Sequence, residues 1–280
     1  MKNKKKILLL GANGYLGARL FYDLRDKFDV TGTYHRKQFY KEFVQLDITD
    51  KDQVLRIFKQ YKPNIIVHSA NFPSPRHAKD NKDGYKKLNL TATEYIKDGA
   101  NEIGAKVIFI SSFAAFNPDN IYGKLKLESE EIVKQVKEGY LILRASLILG
   151  YSPNTSNDRP FDRILKHLDD KTVAEFDTSW TFQPTYVGHV SEMIEACINK
   201  DIFNRMLPVF CDSLETQYST AVDILKPFNI EVKPIDKNMT IPVAPADESE
   251  LIKLELPTIS YQDMLNRIHD EIKNREKFIL

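Results

Sequence analysis

A short apolar run that leads directly into a glycine-rich turn constrains the fold of this chain most. The run Ile7–Leu10 is followed by Gly11, Gly14 and Gly17, and the residues from about position 15 onward have helical spacing. Glycines at this spacing allow a sharp turn out of a strand, a close approach of the backbone to a pyrophosphate and tight packing of the next helix. The amino terminus of that helix offers unpaired N–H groups to phosphates. The pattern therefore predicts a dinucleotide-binding turn. The residues of this turn predicted to contact the dinucleotide are Gly11, Asn13, Gly14, Tyr15, Leu16 and Gly17.

Apolar runs alternate with amphipathic stretches through the first half of the chain. Strands are predicted at 7–10, 30–34, 44–46, 65–67, 107–110 and 140–143. Helices are predicted at about 15–26, 51–60, 83–103 and 122–137. Alternation of this kind, with nearly continuous apolar strands, is typical of a parallel sheet covered on both faces. The sequence therefore predicts an α/β fold with a Rossmann-type doubly wound parallel sheet.

The pattern changes after Gly150. The stretch 151–160 is rich in proline, asparagine and serine, as loops are. The elements predicted beyond it are shorter, with helices at about 161–169, 216–226 and 260–274 and a strand near 207–210. We therefore expect a dinucleotide-binding domain over 1–150, with a return segment at about 183–205, and a small α+β lobe over 151–280 that mainly binds substrate.

Charge and apolar run length exclude several classes of protein. The chain has 40 basic and 39 acidic residues, with no basic run that would suit nucleic acid. The first apolar run stops at Gly11, which is too short for a signal sequence or a membrane span. The two cysteines do not suggest a disulfide framework, and no acidic cluster has the spacing of metal ligands. We expect a soluble cytoplasmic protein without a metal, a membrane or a nucleic acid as partner.

The residues after the second and third strands bear on the choice of cofactor. An acidic residue at the tip of the second strand would bind the ribose of NAD, whereas this chain has Arg36 and Lys37 there. They favour NADP, with NAD as a possible cofactor, although a solvated basic turn is the alternative interpretation. Asp47 and Ile48 follow the third strand, where Asp47 could accept a hydrogen bond from the adenine amino group. Asp47 could instead cap a helix, a role that Thr49 or Asp50 would fill more naturally.

A tyrosine and a lysine one helical turn apart suggest acid–base chemistry. Tyr122 and Lys126 share a helix face. A lysine ammonium, together with the charge of an oxidised nicotinamide, would lower the pKa of a tyrosine from its usual value near 10. Ser111 and Ser112 end a buried strand ten residues earlier, where a hydroxyl could hold a reacting carbonyl oxygen. Ser112 is the preferred candidate and Ser111 is expected to be structural, although both could be ordinary turn residues.

Several segments along the chain together indicate a family. They are 11–17, 46–50, 110–116, 122–130, 143–146 and 183–187. In this order they resemble the extended short-chain dehydrogenase/reductase superfamily, and are similar to dTDP-4-dehydrorhamnose reductases and their sugar-nucleotide relatives. The resemblance runs from residue 5 to about residue 200 and fades beyond it.

The resemblance implies roles for residues along the chain. Ser112 takes the place of the catalytic hydroxyl residue, Tyr122 is the general acid, Lys126 is its partner and Asn89 supports a proton path. Further cofactor contacts are implied beside the adenosine ribose and the nicotinamide, and these residues are Ser69, Ala70, Asn71, Ser111, Ala145 and Ser146. Pairing into a homodimer through the helices that flank the catalytic strand is implied as well.

Departures from the family pattern keep three functions open. Phe113 stands where the reductases usually carry an acid, Ala114 replaces an aromatic residue, and 241–245 lacks the expected arginine–proline signature. The preferred hypothesis is an NAD(P)H-dependent reductase of a carbonyl on a nucleotide-linked 4-keto deoxy sugar, or on a similar polar substrate. The alternatives are a sugar-nucleotide epimerase with tightly bound NAD and a non-catalytic dinucleotide-binding regulatory subunit.

Overall fold

A computed structural model of the chain describes residues 4–70, 82–154, 159–239 and 247–280. Its strands are β1 (Lys6–Leu10), β2 (Asp29–Tyr34), β3 (Val44–Gln45), β4 (Ile65–His68), β5 (Lys106–Ser112), β6 (Tyr140–Ala145), β7 (Ile148–Leu149), β8 (Ala174–Asp177), β9 (Thr181–Phe182), β10 (Thr185–Tyr186), β11 (Arg205–Val209), β12 (Glu215–Thr216) and β13 (Val232–Ile235). Its α-helices are α1 (Tyr15–Leu24), α2 (Lys51–Tyr61), α3 (Lys82–Lys86), α4 (Ala92–Ile103), α5 (Ile121–Val133), α6 (Pro160–Asp170), α7 (Val187–Asn199), α8 (Gln217–Leu225), α9 (Ser249–Lys253) and α10 (Tyr261–Lys273). A π-helical turn, Lys87–Thr91, joins α3 to α4, and short 3₁₀ turns lie at Phe113–Ala115, Lys226–Phe228 and Arg275–Lys277.

Seven of the described strands form one sheet in which every pair is parallel. Their order is β11-β6-β5-β4-β1-β2-β3, which confirms the predicted doubly wound α/β fold. β1 lies between β2 and β4, so the strand order reverses beside it. In sheets of this kind the reversal opens a crevice at the carboxyl ends of the strands. The sheet therefore places a crevice directly after the glycine-rich turn.

Alternate residues of β1 explain how the sheet is buried on both faces. Ile7 and Leu9 pack in one cluster with α1 and α7, whereas Leu8 and Leu10 pack in another with α2, α4 and α5. Successive side chains of a strand point to opposite faces, so a strand with apolar residues at every position needs helices on both sides. The apolar run in the sequence is therefore the direct cause of the three-layer architecture.

Two elements differ from what the sequence predicts. The strand expected near 207–210 in the lobe is β11, which pairs with β6 and so belongs to the central sheet. Pro208 lies within it, and an edge strand tolerates a residue that cannot donate a hydrogen bond. Helix α5 ends at Val133 rather than near 137, although Val136 is also buried. The apolar spacing continues past the helix into a turn, which explains the longer prediction.

Much of the chain after Gly150 forms a separate apolar cluster beside the carboxyl edge of the sheet. The cluster is built by α6, α8 and α10, and Tyr15 and Tyr186 join it from the dinucleotide-binding side. Two-stranded sheets β12-β9 and β13-β8 complete this lobe. Across the described ranges, none of the helices combines the length and the apolar character that a membrane crossing requires.

A buried ionic cluster joins α1 to α10. The side chain of Arg19 is 7% exposed, and it pairs with Asp23 at 2.8 Å and with Glu271 at 2.7 Å. The Tyr186 hydroxyl donates to Glu271 Oε1 at 2.5 Å, and Ser191 donates to Asp23 at 2.6 Å. Buried charges are retained only where they are paired and hydrogen-bonded, and this cluster meets both conditions.

Candidate active site

A cavity of about 810 Å³ opens at the carboxyl edge of the sheet, beside the point of strand reversal. It is lined by the ends of the central strands and by the beginning of α6. The residues predicted from the sequence that line it are Gly11, Asn13, Gly14, Tyr15, Leu16, Gly17, Arg36, Lys37, Asp47, Ile48, Ser69, Ala70, Ser111, Ser112, Tyr122, Ala145 and Ser146. Asn71 lies outside the described residues. Lys126 and Asn89 do not line the cavity and lie behind its wall.

The glycine turn at one end of the cavity has the shape that a pyrophosphate needs. Gly14 donates its backbone N–H to the carbonyl of Gly11 at 2.9 Å. Gly11 has a φ of 80°, and a Cβ there would lie 2.9 Å from Ala70. A Cβ on Gly17 would lie 2.1 Å from the Gly11 carbonyl oxygen. Only glycine fits these two positions, so the amino terminus of α1 stays open to a phosphate group.

The basic loop after β2 is held against the glycine turn by Asn13. The Asn13 side chain donates to the carbonyl of Lys37 at 2.7 Å and accepts from the N–H of Phe39 at 2.9 Å. Arg36 and Lys37 are exposed and line the cavity. This clamp fixes the backbone while the two cationic side chains reach toward solvent, an arrangement that suits a ribose 2′-phosphate.

Asp47 lies beside the basic loop, with its Oδ2 3.4 Å from Nε2 of His35. Its Oδ1 accepts from the N–H of Thr49 at 2.9 Å and from the Thr49 hydroxyl at 2.8 Å. Partial burial acts to raise the pKa of Asp47, but these hydrogen bonds outweigh it and hold the pKa below its usual value. Asp50 caps α2 by accepting from the N–H of Gln53 at 3.0 Å. The cap role therefore belongs to Asp50, and Asp47 stays available to the cavity as a carboxylate.

Ser112 and Tyr122 meet at the other end of the cavity. Ser112 ends β5, and Asn120 caps α5 by accepting from the N–H of Gly123 at 3.0 Å, which places Tyr122 in the first turn of the helix. Burial raises the pKa of Tyr122 above its usual value, while a hydrogen bond with Ser112 and the charge of Arg159 act to lower it. Tyr122 therefore remains a protonated phenol at neutral pH.

Lys126 lies one turn further along α5 and is 4% exposed. Its Nζ donates to the carbonyl of Ile110 at 2.9 Å and lies 4.5 Å from the ring centroid of Phe109. Burial lowers the pKa of Lys126 to about 7, against the opposing charge of Glu130. The Nζ is 6.0 Å from the ring centroid of Tyr122. Burial thus dominates the pKa of both residues in the protein alone, and the lowering of the tyrosine pKa by this lysine together with an oxidised nicotinamide stays a prediction.

The hydroxyl of Ser111 is engaged in a buried network behind the cavity. It donates to Glu130 Oε1 at 2.5 Å, and Arg144 makes two hydrogen bonds to the same carboxylate at 2.9 and 2.6 Å. Glu130 is fully buried. Ser111 therefore joins β5 to α5 and β6, as the structural interpretation of this residue expects.

Asn89 lies in the π-helical turn between α3 and α4. Its Nδ2 donates to the carbonyl of Tyr85 at 2.9 Å, and its own carbonyl accepts from the Ser129 hydroxyl at 2.7 Å. A π turn inside a helix often accompanies a functional residue. The contacts of Asn89 tie the turn to α5, on the side where Lys126 is buried.

Arg159 is not among the residues that the sequence predicts for the site. This residue immediately precedes α6, lines the cavity together with Tyr122, and contributes a positive charge beside the phenol. The dipeptide Arg159–Pro160 at a predicted helix start was visible in the sequence, but its position in the cavity depends on how the lobe packs. An aromatic cluster beside Ser112 was also missed, in which Phe113 stacks on Phe116 at 5.7 Å and meets Phe210 edge-on at 6.0 Å.

Known proteins are similar to this chain over different lengths. A methionine adenosyltransferase 2 subunit beta from Bos taurus is 30% identical over 160 residues, which cover 52% of this chain and 48% of that protein. The chain thus spans about half the length of this relative. A dTDP-4-dehydrorhamnose reductase from Aggregatibacter actinomycetemcomitans is 26% identical over 203 residues, covering 68% of this chain and 66% of that protein.

Similarity in fold extends over nearly the whole chain. The crystal structure of dTDP-4-dehydrorhamnose reductase from Bacillus anthracis, in complex with NADP, superposes with a TM-score of 0.79 at 23% identity and covers 97% of this chain and 99% of that chain. The model of the RmlD substrate-binding domain family matches residues 5–264. The chain therefore belongs to the RmlD substrate-binding domain family.

Proposed function

We propose that this protein is an NADPH-dependent reductase that converts a carbonyl on a nucleotide-linked 4-keto deoxy sugar, or on a similar polar substrate, to an alcohol. One observation carries the proposal: Ser112 and Tyr122 line the same cavity as the glycine turn, with the Ser112 hydroxyl near enough to the phenol to influence its pKa. The relatives named as dTDP-4-dehydrorhamnose reductases support the substrate class.

The residues that line the cavity fit a dinucleotide along its length. The glycine turn and the start of α1 take the pyrophosphate, Arg36 and Lys37 take a 2′-phosphate, and Asp47 accepts from the adenine amino group. NADP is the preferred cofactor, as in the Bacillus anthracis structure, and NAD is the alternative. When bound, the nicotinamide supplies the hydride.

Tyr122 is the proton donor in this proposal, and Ser112 holds the carbonyl oxygen. A phenol whose pKa is raised by burial carries its proton at neutral pH, which is the state required to reduce a carbonyl. The Ser112 hydroxyl at the end of β5 fixes the oxygen against that phenol. Lys126 and Asn89, which are buried close to this site, are the groups that we propose to support the return of a proton to Tyr122.

The two parts of the chain have different roles in this proposal. Residues 1–150, with the return segment 183–205, bind the dinucleotide, and the lobe within 151–280 selects the substrate. In the aromatic cluster, Phe113 follows Ser112 directly and stacks on the exposed ring of Phe116, which offers an apolar surface close to Ser112. We place the protein in the cytoplasm and expect it to pair as a homodimer through α4 and α5, the helices that flank β5 in sequence.

The Tyr122→Phe variant tests the proposal. NADPH oxidation would be followed by absorbance with a panel of 4-keto sugar nucleotides, and NADPH binding by fluorescence titration. We expect kcat to fall about 100-fold or more with unchanged NADPH affinity, because removing a general acid typically costs this much. Tyr34→Phe is the matched control, since Tyr34 lines the same cavity at its other end. Full turnover by Tyr122→Phe would refute the proposal, and sugar isomerisation without net NADPH oxidation would indicate the epimerase.

The relatives named as methionine adenosyltransferase 2 subunit beta favour a second candidate, a non-catalytic dinucleotide-binding subunit. Phe113 and Ala114, which depart from the reductase pattern, agree with this candidate. The test is co-elution of the protein with a methionine adenosyltransferase in size-exclusion chromatography, with and without NADPH. A stable complex together with no NADPH oxidation on any keto sugar would favour the subunit over the reductase.

A further inference from the structure

We propose that Arg159, which lines the same cavity as Tyr122, is a positioning residue for proton donation by that phenol, and that its guanidinium stabilises the phenolate once the proton has left. The catalytic consequence rests on the proposed reductase function, whereas the electrostatic relation between the two side chains does not.

Arg159 is held at the cavity wall by its own backbone. Its N–H donates to Asp162 Oδ2 at 3.0 Å, and Pro160 occupies the first position of α6, where the missing N–H of proline costs nothing. The Nε of Arg159 is buried, and within the part of the chain that the structure describes it has no hydrogen-bond partner. The side chain thus lies beside the cavity, and its Nε is not engaged in a structural hydrogen bond with the described residues.

Lys126 is poorly placed to supply the same charge. Its Nζ is committed to the carbonyl of Ile110 and lies 6.0 Å from the ring centroid of Tyr122. A lysine whose pKa is about 7 is only partly charged at neutral pH. A guanidinium stays charged throughout the physiological range. Burial holds the pKa of Arg159 below its usual value, although the charges of Tyr122 and Asp162 act to raise it.

The other groups around Tyr122 cannot replace this charge. Tyr85, from α3, faces it as a neutral phenol whose pKa is raised by burial. Tyr15, from α1, is also a neutral phenol with a raised pKa caused by burial, and it faces Arg159 rather than Tyr122. Asp162 is the acid that faces Arg159. Among the described residues near the phenol, Arg159 is thus the cation that remains when Lys126 is neutral.

The test measures the ionisation of the phenol directly. 3,5-Difluorotyrosine would be incorporated at position 122, because its phenol is intrinsically more acidic and titrates where the protein stays folded. Its ¹⁹F resonance would be followed against pH in otherwise wild-type protein and in Arg159→Gln, Arg159→Lys and Arg163→Gln. Arg163→Gln removes a charge from the exposed side of the same helix and is the matched control.

Arg159→Gln is expected to raise the midpoint by about one pH unit or more, as loss of a nearby opposite charge does. Arg159→Lys should restore most of the midpoint, and Arg163→Gln should leave it unchanged. An unchanged midpoint in Arg159→Gln would overturn the proposal. Equal shifts in Arg159→Gln and Arg159→Lys would overturn it as well, because they would show that packing, not charge, is responsible.

Kinetics separate this inference from the proposed function. In the reductase assay, the pH profile of kcat/KM in Arg159→Gln should move in the same direction as the ¹⁹F midpoint, with NADPH affinity retained. If no keto sugar is reduced at all, the proposed function fails, yet the ¹⁹F titration still decides whether Arg159 controls the ionisation of Tyr122.

Discussion

Replacing Lys126 with methionine should stabilise this protein at neutral pH, although it removes a proposed catalytic group. The pKa of Lys126 falls from 10.5 to about 7 because the side chain is buried. At 1.36 kcal/mol for each pH unit this corresponds to roughly 5 kcal/mol of lost folding free energy below pH 7. The hydrogen bond to Ile110 and the contact with Phe109 stabilise the folded wild type by about 1 kcal/mol each and so offset part of this cost. We therefore expect Lys126→Met to gain about 3 kcal/mol at pH 7.

The pH dependence supplies the decisive control. Between pH 7 and 10.5 the unfolded chain binds a proton at Lys126 that the folded chain does not. The wild type therefore becomes more stable as the pH rises, whereas the variant has no such group. The stability advantage of the variant should shrink by about 1.4 kcal/mol per pH unit. Urea unfolding of both proteins at pH 7 and pH 9.5 would measure this difference. Lys124→Met, on the exposed side of the same helix, should change little at either pH. A destabilised Lys126→Met, or a gain that does not depend on pH, would refute the reasoning.

Two further predictions concern the cofactor loop and the buried network. Replacing Arg36 and Lys37 together by serine should weaken NADPH binding roughly tenfold or more and leave NADH binding unchanged, because charge-assisted hydrogen bonds to the 2′-phosphate would be lost. Fluorescence titrations with both cofactors would measure this. Equal losses of affinity for NADPH and NADH would contradict the prediction. Glu130→Gln should cost about 3–5 kcal/mol in urea unfolding, because Arg144 would keep a buried charge without its carboxylate. The control Glu131→Gln, at an exposed ion pair, should cost less than about 1 kcal/mol.

Local patterns were sufficient to predict most of the fold and much of the cavity. The glycine spacing at 11, 14 and 17 needs only neighbouring residues to define its turn, and the apolar runs define the strands. Because parallel strands end at one edge, residues that follow different strands, such as Asp47 and Ser112, come together without any further information. Candidate site residues can therefore be predicted from the sequence where they directly follow predicted strands.

Features that depend on how distant segments pack were not predictable in the same way. The spacing of Tyr122 and Lys126 shows that they share a helix face, but it does not show that Lys126 is buried against β5 behind the wall. The contribution of Arg159 requires the lobe to bring the start of α6 over the cavity. The short apolar run of β11 would fit the central sheet or the lobe equally well. Only its pairing with β6 shows that it belongs to the sheet.

The buried ionic cluster around Arg19 links the first helix of the chain to its last α-helix. Helix α1, whose amino terminus is proposed to bind the phosphates, is anchored through Arg19 and Glu271 to α10, a helix some 250 residues further along the chain. A fragment that stopped at residue 150 would keep every glycine of the nucleotide turn, yet it would lose Glu271 together with Tyr186 and Phe278, which cover Arg19, and this face of α1 would be exposed to solvent. The packing of the helix that follows the glycine turn therefore depends on residues from the second half of the chain.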